Sequence, residues 1–101
     1  MGCATYAKNI TPLKPVAEES VYLSNIRQIT SQDMGFLNAG EAYFSPDGRT
    51  IIYQATPMGQ SEYQIYSMNL NTGKTKMIST GKGACTCAFF HPHKNKIIFA
   101  S

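Results

Sequence analysis

A fourteen-residue unit occurs twice in this chain, and its spacing constrains the fold more than any single residue. Ala42 to Ala55 reads AYFSPDGRTIIYQA, and Ala88 to Ser101 reads AFFHPHKNKIIFAS. The two align without a gap, 46 residues apart. Ala42, Phe44, Pro46, Ile51 and Ile52 recur as Ala88, Phe90, Pro92, Ile97 and Ile98, while Tyr43 and Tyr53 become Phe89 and Phe99. A second match precedes each unit, with Arg27-Gln28-Ile29-Thr30 answered by Lys76-Met77-Ile78-Ser79. Self-similarity at a period near 45 residues, carried by short strands and tight turns, predicts an all-β chain of propeller blades.

Each blade needs four antiparallel strands. The stretch 21–30 reads as an outer strand, anchored by Tyr22, Ile26 and Ile29. A full blade is expected over 42–79 and a partial blade over 84–101, all within one region spanning 21–101. In the full blade, Ala42 to Phe44 forms a short inner strand. Ser45-Pro46-Asp47-Gly48 turns it, because Pro presets φ, Asp bonds locally and Gly tolerates positive φ. Thr50 to Ala55 is nearly all apolar, as expected of a strand covered on both faces. Tyr63 to Leu70 supplies the third strand and Lys74 to Ser79 a more polar fourth. Residues 1–20, with Pro12, Pro15 and no sustained periodicity, read as an extended arm or linker. Ser31 to Gly40 reads as a loop, with Gly35, Asn38 and Gly40 as its turn formers.

Composition narrows the function classes. Hydrophobic residues make up 43% and charged residues 15%, which excludes a disordered chain. The net charge of +3 comes from basic residues scattered along the chain, so no stripe suited to nucleic acid forms. No apolar run approaches the roughly 20 residues of a transmembrane helix. A partial blade exposes Ile, Tyr and Phe and an unpaired strand edge, so an isolated chain of this kind is expected to self-associate.

The repeat resembles the TolB-like β-propeller family. The residues that carry the resemblance are Phe44, Ser45 to Gly48, Ile51-Ile52, Gln64-Ile65-Tyr66, Met68 and Asn69. Ser79-Thr80-Gly81-Lys82-Gly83 followed by Cys87 is similar to the bacterial envelope proteins called biopolymer transporter Tol-like. The second unit departs from the family turn, since His93 and Lys94 replace Asp and Gly. The resemblance spans about residues 22–101 and implies a non-enzymatic, protein-binding or scaffold propeller of the periplasm or cell envelope. Gly2-Cys3 is similar to the lipid-bearing site of bacterial lipoproteins, which implies attachment through Cys3. Similar blades also serve as gating propellers of prolyl-oligopeptidase-like serine peptidases, whose catalytic residues lie in a separate domain, and that is the alternative reading.

Loops at the ends of propeller strands carry binding residues. The long loop Ser31 to Gly40 therefore supplies the candidate partner-contacting residues Met34, Phe36 and Leu37. Phe36 and Leu37 either reach a partner or pack beneath the blade. No catalytic, cofactor-binding or metal-binding residue is assigned. Cys85, Cys87, His91 and His93 are the zinc-like types, but an extended strand places Cys87 and His91 about 13 Å apart. Cys85 and Cys87 read as small buried or half-buried thiols, since a disulfide between them is strained. Gly73-Lys74-Thr75 lacks the first glycine of a phosphate loop, because Met68 stands there. Gly59-Gln60-Ser61-Glu62-Tyr63 ends in Tyr where a nucleophile elbow requires Gly.

Overall fold

In the computed structural model the described residues are 21–101; the expected arm over 1–20, with Cys3, lies outside them. Six strands form: β1 (Phe36–Phe44), β2 (Thr50–Pro57), β3 (Gln64–Asn69), β4 (Thr75–Met77), β5 (Thr86–Phe90) and β6 (Ile97–Ala100). β1 to β4 make an antiparallel sheet in chain order, and β5 pairs with β6 in a second, two-stranded sheet. The chain is thus mostly β, with no α-helix among the described residues.

The repeat in sequence is a repeat in register. Gly40, Tyr43 and Phe44 face Gln54, Ile52 and Ile51, while Thr86, Phe89 and Phe90 face Ala100, Ile98 and Ile97. Every pair recurs 46 residues on. The turns match as well. The Ser45 N–H donates to the Thr50 carbonyl at 2.7 Å, and the His91 N–H to the Lys96 carbonyl at 2.9 Å. The second hairpin closes without the Asp-Gly pair because His91 Nδ1 accepts from the His93 N–H at 3.1 Å. In the first, the Asp47 carboxylate accepts from the Ser45 hydroxyl at 2.6 Å and the Arg49 N–H at 3.1 Å.

Two expectations need correction. The outer strand over 21–30 does not form; Arg27 alone makes an isolated bridge there. The spacing of Tyr22, Ile26 and Ile29 lacks the two-residue alternation of a strand, and Ile29 instead packs onto a face of the first sheet. The loop Ser31 to Gly40 is also shorter than its composition suggests. A single 3-10 turn (Gln32–Met34) ends at Gly35 with φ 81°, and β1 begins at Phe36. Bulges after Phe36 and after Gly40 absorb the turn-forming residues within the strand.

The first sheet is apolar on both faces. One carries Phe36, Ile51, Tyr53, Ala55, Tyr66 and Met68, covered in part by Ile29 and Met34. The Phe36 ring meets Tyr66 edge-on at 4.8 Å between centroids, so its burial contributes about 2 kcal/mol. The opposite face carries Ile52 and Ile65 and packs against Ala88, Phe90, Ile97 and Phe99 of the second sheet.

What fixes the second sheet against the first is polar. Gln64 is 1% exposed, and both polar atoms of its side chain are hydrogen-bonded. Its carbonyl oxygen accepts from the Ser79 hydroxyl at 2.7 Å and the Gly81 N–H at 3.1 Å, and its amide donates to the Gly83 carbonyl at 2.7 Å. The Ser79 hydroxyl also accepts from the Ile65 N–H at 2.9 Å. Residues 79–83, the connector to β5, are thereby stitched to β3.

Gln64→Ala should cost about 3 kcal/mol, since it strands three polar partners around a buried site. Urea unfolding measures this, and a change below about 1 kcal/mol would refute the stitching role. Acid should loosen the first turn in a defined direction. Asp47 titrates below its ordinary 3.8, first because of the Ser45 hydrogen bond and then the Arg49 N–H. Its contribution is therefore complete above 3.8 and lost as pH falls through the lower, folded value. Proton NMR of the Arg49 amide, with Asp47→Asn as control, reads that loss.

Candidate functional site

β1 is the edge of its sheet, and most of its length is exposed. Its two bulges divide it into two places where side chains gather. At the first, Gln28, Thr30, Ser31, Gln32, Leu37 and Asn38 line a groove beside the strand, floored by Phe36 and Ala39. The walls are amides, hydroxyls and one aliphatic side chain, with no ionisable group. Gln28 is held in place by donating to the Thr30 carbonyl at 2.7 Å. Such a lining suits an extended polypeptide: amides match backbone N–H and C=O groups, and Leu37 takes an apolar side chain.

The three residues expected in a partner-contacting loop separate here. Leu37 sits at the first bulge and is 51% exposed. Phe36 is buried between Tyr53 and Tyr66, and Met34 is half-buried against the same cluster. Packing beneath the sheet is thus the outcome for Phe36 and Met34, while Leu37 remains available to a partner. The reason is the two-residue alternation of the strand. Alternation along β1 turns Phe36 inward and Leu37 outward, and the bulge between Phe36 and Asn38 leaves Leu37 without a residue opposite it on β2.

The second gathering place was not foreseen. Glu41 and Cys87 occupy the same repeat position, and both adopt left-handed backbone, with φ 48° and 54°. Each lies where its strand gains one residue over its partner. Because the two hairpins stack, the two bulges meet. The Cys87 thiol lies 3.9 Å from a Glu41 carboxylate oxygen and donates toward it. The Cys87 N–H donates to the Gln54 side-chain oxygen at 3.3 Å, and the Tyr43 hydroxyl donates to Glu41 at 3.3 Å. The Tyr43 and Phe89 rings, also repeat equivalents, lie 4.3 Å apart. Partial desolvation, followed by the Glu41 carboxylate, pushes the Tyr43 phenol above its ordinary range. No sequence cue reported this cluster, because neither Glu nor Cys advertises a positive φ as Gly does.

The cysteines and histidines take different surroundings. Cys85 is buried, with a long contact to the Lys82 carbonyl, whereas Cys87 is exposed. The bulge breaks the alternation that would have put both on one side. His91 and His93 sit in the second turn with their rings 6.5 Å apart. Among the described residues no three His, Cys, Asp or Glu side chains are grouped as metal ligands. No helix among those residues is long and apolar enough to cross a membrane.

Comparison with family models, curated proteins and solved structures returns no match to this chain.

The bulge predicts an inverted ranking of substitutions. In an ordinary strand Gly is worse than Ala, but left-handed backbone costs a residue with a Cβ about 1–2 kcal/mol. Cys87→Gly should therefore be more stable than Cys87→Ala by about 0.5–1 kcal/mol. Thermal melts of the two variants decide it; the reverse ranking would mean that the bulge is not kept in solution.

Proposed function

We propose that the chain is a non-enzymatic protein-binding module of the bacterial cell envelope, TolB-like in kind, in which the two sheets are successive propeller blades. The observation that carries this reading is the bulged hairpin that recurs in the same register 46 residues on and stacks face to face on its predecessor. Radial stacking of one supersecondary unit is how propellers build a core that no unit can bury alone. The TolB-like turn and the Gln-Ile-Tyr-x-Met-Asn strand support the family assignment, and the Gly2-Cys3 pair supports an envelope lipoprotein anchored through Cys3.

Binding is assigned to the exposed side of β1. Its groove offers hydrogen-bonding groups without ionisable ones, which favours recognition over acid–base or nucleophilic chemistry. Leu37 provides the apolar contact, and Asn38 and Gln28 provide the amides that fix register.

A photo-crosslinking side chain placed at Leu37, in a Gram-negative host, should give one discrete protein adduct in the envelope fraction. Asn38→Lys should abolish it, and the same probe at exposed Lys74 should give none. Adducts of equal pattern at Leu37 and Lys74, or none at Leu37, would overturn the assignment. Cys3→Ser should in parallel move the protein out of the membrane fraction; unchanged fractionation would remove the lipoprotein part of the reading.

A further inference from the structure

Ser45 and His91 hold the same place in the repeat, and each supplies a side-chain acceptor that closes its turn. The two acceptors answer to acid differently. The Ser45 hydroxyl accepts from the Thr50 N–H at 3.0 Å, and the Asp47 carboxylate accepts from the Ser45 hydroxyl and the Arg49 N–H. In the second turn the acceptor is an imidazole, since His91 Nδ1 takes the His93 N–H at 3.1 Å. Only a neutral ring with its proton on Nε2 can do so. A proton added at Nδ1 points at the hydrogen of the His93 amide, and the attraction becomes a repulsion.

Charge acts in the same direction. The first turn holds Asp47 and Arg49, which are opposite in sign, whereas the second holds His91, His93, Lys94 and Lys96 with no acid. Among the described residues none of these four makes an ion pair. The strands packed on β5 from the first sheet are β1, β2 and β3, whose ionisable groups are Glu41, Tyr43, Tyr53 and Tyr66. Glu41 meets Cys87, four residues before His91 and about 13 Å away along the strand. Tyr43 and Tyr66 are pushed above the ordinary phenol range, and Tyr53 is buried. Asp47 answers to Ser45 and Arg49, and to neither histidine. No group facing the second turn therefore offsets a charge gained by His91.

We propose that His91 is an acid-released latch of the second hairpin, which holds the His93 amide when neutral and lets the turn open when protonated. The proposal requires neither the envelope reading nor the β1 groove. Its sign follows from which form accepts: the bond is complete where the ring is neutral and is lost as pH falls through the ring's titration. Histidines as a class take up that proton between about pH 8 and pH 5. The acceptor of the first turn holds until pH falls below 3.8. Mild acid thus releases one hairpin of the repeat and leaves its predecessor closed. With both rings protonated, the open turn carries four positive charges in place of two. β5 keeps its place meanwhile, because Ala88 and Phe90 belong to the apolar cluster with Ile52 and Ile65.

Both histidines of the chain lie in this turn, so 15N-histidine labelling of the full 101-residue chain reports on the turn alone. The His93 amide should shift with the same midpoint as the His91 ring. Its solvent exchange, corrected for the intrinsic effect of pH, should rise by about five-fold across that midpoint. His91→Asn places a side-chain oxygen where Nδ1 stands and does not titrate, so it should flatten both profiles. His93→Asn, read at the same backbone position, should keep the transition. A His93 amide that stays unchanged while the His91 ring titrates would overturn the proposal. So would a transition that survives in His91→Asn or vanishes in His93→Asn.

Discussion

The arrangement of this protein depends on one buried amide. Two hairpins with apolar faces could stack at many offsets, because the hydrophobic effect is non-directional and rewards area alone. Gln64 removes that freedom. Its three bonds reach Ser79, Gly81 and Gly83, and the connector they hold is the only covalent route from β4 to β5. A backbone bond from the Cys85 N–H to the Tyr63 carbonyl, at 2.8 Å, extends the same stitching to the start of β5. Each polar atom buried there has a partner, so any slip of the second sheet must first break hydrogen bonds in a site with little water to replace them.

With the offset fixed, the rest follows from alternation. Ile51, Tyr53 and Ala55 point one way along β2, and Ile52 points the other. One face is closed by Phe36 and the half-buried Ile29 and Met34, the other by Ala88, Phe90, Ile97 and Phe99. The near-continuous apolar run of β2 is the direct consequence of having both faces covered.

Much of this was legible in the sequence, for a physical reason. A repeat reports its own registration: residues that must pair in one hairpin recur where they pair in the next, so Phe44 with Ile51 predicts Phe90 with Ile97. The turns were equally legible in the first unit, where Asp47 and Gly48 declare their roles. Three features were not. Tyr22, Ile26 and Ile29 supplied β-prone residues for a stretch that pairs only through the isolated bridge at Arg27, and propensity without a ladder of partners does not make a strand. Gly35, Asn38 and Gly40 suggested a loop where the bulged β1 runs instead. The Gln64 network joins residues 15 to 19 positions apart through side chains that are unremarkable in sequence.

The bulges show where chemistry enters such a chain. Core positions of the repeat are bound to stay apolar, because one face of the second unit, with Ile97 and Phe99, packs on the Ile52 face of the first. The bulge position is different: it is exposed, its backbone is strained, and its side chain meets the same position of the neighbouring unit. Glu41 and Cys87 occupy it here, one anionic and one a thiol, with the aromatic pair Tyr43 and Phe89 alongside. Stacking thus converts a single repeat position into a column of side chains whose identity the fold does not dictate. The groove at Leu37 arises from the other bulge of β1, which the second hairpin lacks. Freedom of side-chain choice in this architecture therefore lies at irregularities, where the ladder gains a residue and a side chain is released from packing.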